Sequence, residues 1–84
     1  MGLAVYRFED VEFRSHVIAS SIERATEIFD KVMGAEFREL SEGSMEIYQI
    51  DGSTVLPISE DGSPPFVELT ADEWIAKDPT PRFL

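Results

Sequence analysis

One segment limits the fold of this chain more than any other. Ile22, Ala25, Ile28, Phe29, Val32 and Met33 recur at the spacing of a single helix face. Ser20-Ser21-Ile22-Glu23 stands before them as a capping box, in which Ser20 accepts from the amide of Glu23 and the Glu23 side chain reaches back. Gly34 supplies a left-handed stop. The spacing predicts a helix from about Ser21 to Met33, with Glu23, Glu27, Asp30 and Lys31 on its outer face. A helix with one apolar stripe must bury it against another element. The rest of the chain must therefore supply a covering surface.

That surface reads as sheet. Leu3 to Phe8 is apolar and aromatic, Glu9-Asp10 is a turn, and Val11 to Ala19 is a second strand. On the second strand Phe13, Val17 and Ala19 share one side, and Glu12, Arg14 and His16 the other. Beyond Gly34, Ala35 to Ser41 reads as a strand carrying Phe37 and Leu40, and Glu42-Gly43 as a turn. Met45 to Ile50 alternates Met45 and Ile47 against Glu46 and Tyr48. Asp51-Gly52 is a hairpin signal, because a type I′ turn needs positive φ at both central residues. Ser53 to Ile58 would be its return strand, with Pro57 confined to an edge or an end. Ser59 to Pro65 is a loop, after which Phe66, Val67 and Leu69 re-enter the core. Thr70-Ala71-Asp72-Glu73 is a second capping box, opening a short helix that buries Trp74 and Ile75 and ends at Asp78-Pro79.

The expected fold is α+β, in the order β-β-α-β-β-β-α. An antiparallel sheet of about five strands carries one long helix on one face, with a short C-terminal helix. Residues 1–78 form a single domain and 79–84 a C-terminal tail, in which Phe83 and Leu84 either pin the end down or stay free. The other sheet face is partly open, and Glu12, Arg14, His16, Glu46 and Tyr48 are its candidate lining.

Charge narrows the function. The 84 residues include 17 acids and 7 Lys or Arg, for a formal net charge of −10. From Glu39 to Ala76 there is no Lys or Arg, and this stretch of 38 residues holds nine acids. Charge of one sign attracts basic surfaces and repels nucleic acid and anionic lipid. With 43 % hydrophobic residues and six Phe, the chain has enough apolar content for a core, unlike a disordered acidic tail. It has no Cys, which excludes disulfides, thiol catalysis and thiolate metal sites and points to a cytoplasmic setting. The longest apolar run, Leu3 to Tyr6, is too short for a membrane span.

No constellation names a reaction. His16 is the only histidine and has no second His or Cys for a zinc site; it reads as an exposed strand residue. Glu9-Asp10 and Glu60-Asp61 fall in turns, and Asp72-Glu73 in a first helical turn, where the helix dipole favours acids. Neither Ser59-Glu60-Asp61-Gly62 nor Ile50-Asp51-Gly52 has the calcium-loop pattern. Ser20 and Ser21 lack the Gly-rich loop and Lys of a phosphate site. Trp74 beside Asp72 and Glu73 reads as a helix anchor rather than a cation cage. The expectation is a chain that is not an enzyme and takes no cofactor or metal.

The acids are the candidate partner-binding residues: Glu39, Glu42, Glu46, Glu60, Asp61, Glu68, Asp72 and Glu73, then Glu23, Glu27 and Asp30. The last three stand at i, i+4 and i+7. The first two are about 6 Å apart along a helix axis, close to the spacing of successive phosphates.

Val17-Ile18-Ala19-Ser20-Ser21-Ile22-Glu23-Arg24-Ala25 resembles a strand-to-helix unit of small phage and plasmid proteins. In kind, the whole chain resembles the anti-CRISPR proteins of phages: short, free of Cys, strongly acidic and without an enzymatic motif. That resemblance implies an inhibitor acting as a nucleic-acid mimic on a basic protein surface, such as a CRISPR effector or another nucleic-acid-binding protein. It would bind no nucleic acid or membrane and would be a monomer or small homo-oligomer. The alternative is a structural or adaptor module that assembles through a sheet edge or the open face, with Tyr48, Phe66 and Trp74 as its contacts.

Overall fold

The computed structural model describes residues 2–11, 13–40, 45–59 and 62–84. β1 (Ala4–Glu9) and β2 (Arg14–Ala19) form the expected antiparallel hairpin, with Ala4 opposite Ala19 and Glu9 opposite Arg14. The reversal is longer than Glu9-Asp10. The Asp10 amide donates to the Phe13 carbonyl at 2.8 Å, and the Asp10 carboxylate accepts from the Val11 amide. Val11 therefore lies outside β2 and is 90 % exposed.

α1 (Ile22–Met33) follows as expected, but its cap sits one residue later than the Ser20 box. Ser21 is extended at φ −158°, and its hydroxyl accepts from the Arg24 amide at 3.2 Å. The third helical residue is then Arg24, which has no oxygen to return the bond. Gly34 stops the helix at φ +89° and donates its amide to the Asp30 carbonyl. The buried stripe is narrower than the periodicity suggests: Ala25 and Phe29 are fully buried, whereas Ile22 and Val32 are exposed.

The expected strand at 35–41 is instead α2 (Ala35–Leu40). Ala, Glu, Arg and Leu are strong helix formers, and the stretch has no β-branched residue. Phe37 from α2 packs beside Phe13, with ring centroids 4.9 Å apart, and beside Phe29 at 6.0 Å. Arg38 reaches back over the break to grip both oxygens of Asp30, at 2.9 and 2.8 Å.

The Asp51-Gly52 hairpin does not form. β3 (Glu46–Gln49) pairs with β1, whereas β4 (Val55–Ile58) pairs with β5 (Val67–Thr70). The Asp51 carboxylate accepts from the amide and hydroxyl of Ser53, at 2.8 and 2.7 Å, making a side-chain turn that needs no positive φ. The chain thus passes from one sheet to another rather than doubling back. A Cβ at Gly52 would meet the carboxylate of Asp72, so a side chain there would need that exposed carboxylate to swing aside.

α3 (Ala71–Lys77) begins with the expected box. Thr70 Oγ accepts from the Glu73 amide at 3.1 Å, and Glu73 accepts from the Thr70 amide at 2.8 Å. The next free amides of the helix start, those of Ala71 and Asp72, donate to the carbonyls of Thr54 and Gly52. Trp74 is buried and donates its indole N–H to the Leu56 carbonyl at 3.0 Å; Ile75 is only half-buried. The C-terminal residues are pinned down: β6 (Arg82–Phe83) joins the edge of β2, and Arg82 donates to the Trp74 carbonyl.

The class is α+β, with six strands and three helices among the described residues, all strand pairs antiparallel. The strands are divided between a four-stranded sheet, ordered β3-β1-β2-β6, and a separate β4-β5 ribbon. The larger sheet is the middle layer. Tyr6, Phe8, Val17 and Ala19 face α1, with Phe8 and Phe29 stacked at 4.3 Å, and Phe13 joins this core as its expected side predicts. Val5 and Ile18 face the ribbon and α3, against Leu56, Ala71 and Trp74. Leu69 packs at that core's margin, while Phe66 and Val67, expected inside, are 47 % and 45 % exposed.

Candidate functional site

The middle sheet sorts the candidate acids into two sets. Glu23, Glu27 and Asp30 on α1 and Glu39 on α2 belong to the helical layer. Glu68 on β5 and Asp72 and Glu73 on α3 belong to the opposite layer. Glu46 on β3 lies across from Glu9, on the sheet face turned toward that second layer. Glu42, Glu60 and Asp61 lie outside the described residues, as does Glu12.

The two sets differ in what neutralises them. Among the described residues the ion pairs are Arg14–Glu9 at 2.6 Å, Arg24–Glu27 at 3.5 Å, Arg38–Asp30 at 2.8 Å and Arg82–Asp78 at 4.0 Å. Glu27 and Asp30 are thus occupied, and the Arg38 guanidinium holds the Asp30 carboxyl below the usual range. Of the ridge Glu23, Glu27 and Asp30, the last two thus already have partners within α1 and α2. Glu39, Glu46, Glu68, Asp72 and Glu73 are exposed and take part in none of these pairs. Lys77, the base nearest Asp72 and Glu73 in sequence, has its ammonium 5.2 Å from the Trp74 ring centroid.

The part of the sheet face beyond the ribbon carries a polar network. Arg7 Nε donates to His16 Nε2 at 3.0 Å. The Tyr48 hydroxyl donates to one oxygen of Glu9 at 2.9 Å, and Arg14 Nε donates to the other at 2.8 Å. These bonds hold Glu9 below the usual carboxylate range, the Tyr48 hydroxyl contributing most. His16 is not the exposed residue expected: it is half-buried, because the end of the chain crosses it and Leu84 donates to its carbonyl at 2.9 Å. Desolvation, then the charges of Arg7 and Arg14, push its imidazole down to about 4.

Of the expected open-face lining, Arg14, His16, Glu46 and Tyr48 do share this face. Arg7 and Glu9 complete it and are not in the expected set. Strand alternation could have found both, since Val5, Arg7 and Glu9 are two apart. Among the described residues no group of three or more His, Asp or Glu is placed to hold a metal ion, and no helix is long and apolar enough to cross a membrane. Comparison with protein families, curated proteins and solved structures returned no match for this chain.

Proposed function

We propose that the protein is a cytoplasmic, non-enzymatic inhibitor that occupies a basic, nucleic-acid-binding surface of another protein, in the manner of an anti-CRISPR decoy. What supports this reading is the exposed acid set Glu39, Glu46, Glu68, Asp72 and Glu73, which takes part in none of the ion pairs among the described residues, on a chain of net charge −10. Four of the five lie on the sheet face turned toward the ribbon or on the ribbon and α3. Duplex DNA is a dense, regular array of negative charge, and Lys/Arg surfaces built for it accept other rigid anions.

The test is displacement. Labelled duplex DNA is bound to a panel of basic proteins, CRISPR effector complexes among them, and this chain is titrated in. Release of DNA from at least one member, with no gel shift of DNA by the chain alone, is the expected result. A salt-sensitive gel shift of DNA by the chain itself would overturn the reading.

A second reading, assembly through the ribbon, draws on Val55, Phe66 and Val67, which stay 45–52 % exposed. Of the other candidate contacts, Trp74 is buried, and the half-buried Tyr48 has its hydroxyl on Glu9.

A further inference from the structure

Between the ribbon and the polar network runs a groove of about 520 Å³. Leu56, Ile58 and Phe66 form its wall, Phe83 and Leu84 its rim, and Arg7, Arg14 and His16 stand on its floor. A pocket of this size, mostly apolar with a few converging polar groups, has the character of a small-molecule site.

The floor is unusual for this molecule. Among the described residues the groove's lining holds two guanidinium groups, Arg7 and Arg14, and no Asp or Glu; Glu9, on the same sheet face, accepts from Arg14. The same imbalance is felt by His16, where Arg7 and Arg14 outweigh Glu9 after desolvation. Arg7 uses Nε on His16 and holds Nη1 a long 3.5 Å from the Tyr48 oxygen. A guanidinium has five N–H donors, so Arg7 keeps donors that bond no other described residue and suit a planar two-oxygen acceptor. Ser59 lines the same groove, and its hydroxyl is buried with no partner.

We propose that this groove binds a small amphiphile, with its carboxylate head on Arg7 and its apolar tail along Leu56, Ile58 and Phe66. The decoy reading draws on Glu46, Glu68 and Asp72, whereas this ligand would engage Arg7 and the apolar wall of the groove.

The experiment uses the full chain, carbon-13 labelled at methyl groups and nitrogen-15 labelled throughout, titrated with decanoate and separately with decanol. Decanoate should shift the methyl signals of Leu56 and Ile58 and the Arg7 Nε–H signal in one saturable process. Decanol, lacking the charge, should bind about tenfold more weakly or worse. Arg7→Gln and the exposed Phe66→Ala should each weaken decanoate binding by about tenfold, and Phe66→Ala keeps the test valid should Arg7→Gln unfold. Equal binding of decanol, or unchanged affinity in both variants, would overturn the proposal. So would signals that ignore decanoate but move with protein concentration, since the groove would then be an interface between copies.

Discussion

His16 accepts a hydrogen bond on Nε2, which only a neutral imidazole can do. It titrates near 4 in the folded chain, against an ordinary 6.5. Between those values the unfolded chain binds the extra proton, so stability is lost as pH falls through this window and is present in full above it. Because the ring is only part-buried, the loss should be roughly 1–2 kcal/mol, less than the full pKa difference implies. His16→Gln can still accept from Arg7 without titrating. Urea unfolding at about pH 7 and about pH 4.5 should show the wild type losing this amount relative to the variant; parallel losses would contradict the assignment. Gly52 makes a second residue-scale case. Gly52→Ala should cost less than about 1 kcal/mol, since the exposed Asp72 carboxylate that the methyl group meets can swing aside. In a double-mutant cycle Asp72→Ala should recover most of that cost. Neither feature is visible in sequence. An Asp-Gly pair carries the signal of a hairpin, and only the tertiary approach of α3 shows what stands beside the glycine.

Elements were legible wherever the signal was local. α1 carries its period, its cap and its stop within fourteen consecutive residues, 21–34, and α3 has its reciprocal Thr70–Glu73 bonds in place. Thr70→Ala should therefore lower stability by about 1 kcal/mol, read by thermal or urea unfolding. α2 was not legible as a helix. Phe37 and Leu40 are three apart, too few to define a period, and the short stretch follows a helix stop. Its orientation rests on Arg38 gripping Asp30, a contact eight residues apart that no local rule anticipates. Since that pair is part-exposed, Arg38→Met should cost only about 0.5–1 kcal/mol globally. It should nonetheless raise hydrogen exchange through 35–40 well before the rest of the chain. Uniform exchange across α1 and α2 would show that the grip does not hold α2. The pairing of β3 and β4 escapes a local reading for a related reason: adjacency in sequence favours a hairpin, but β3 pairs with β1 and β4 with β5.

At the scale of the molecule, the sheet divides an acidic chain into two unlike layers. On the helical side Arg24 and Arg38 occupy Glu27 and Asp30. On the other side Glu68, Asp72 and Glu73 form no ion pair among the described residues, and Glu46 faces the same way. The absence of bases between Arg38 and Lys77 was legible in the sequence; which acids stay outside the ion pairs of the described residues was not, because Arg–carboxylate pairing depends on packing. If these acids make the contact, binding is governed by charge and is screened over a Debye length of about 8 Å at physiological salt. Single changes should then be mild, at about 0–1 kcal/mol each. The deciding measurement is a titration against a basic protein from which the chain displaces DNA, at about 50 mM and about 300 mM salt. Wild type is compared with the triple variant Glu46→Lys, Glu68→Lys, Asp72→Lys, its fold checked by circular dichroism. Wild-type affinity should fall at least about tenfold between the two salts, and the triple variant should not bind. Binding that ignores salt and survives the triple reversal would contradict the account.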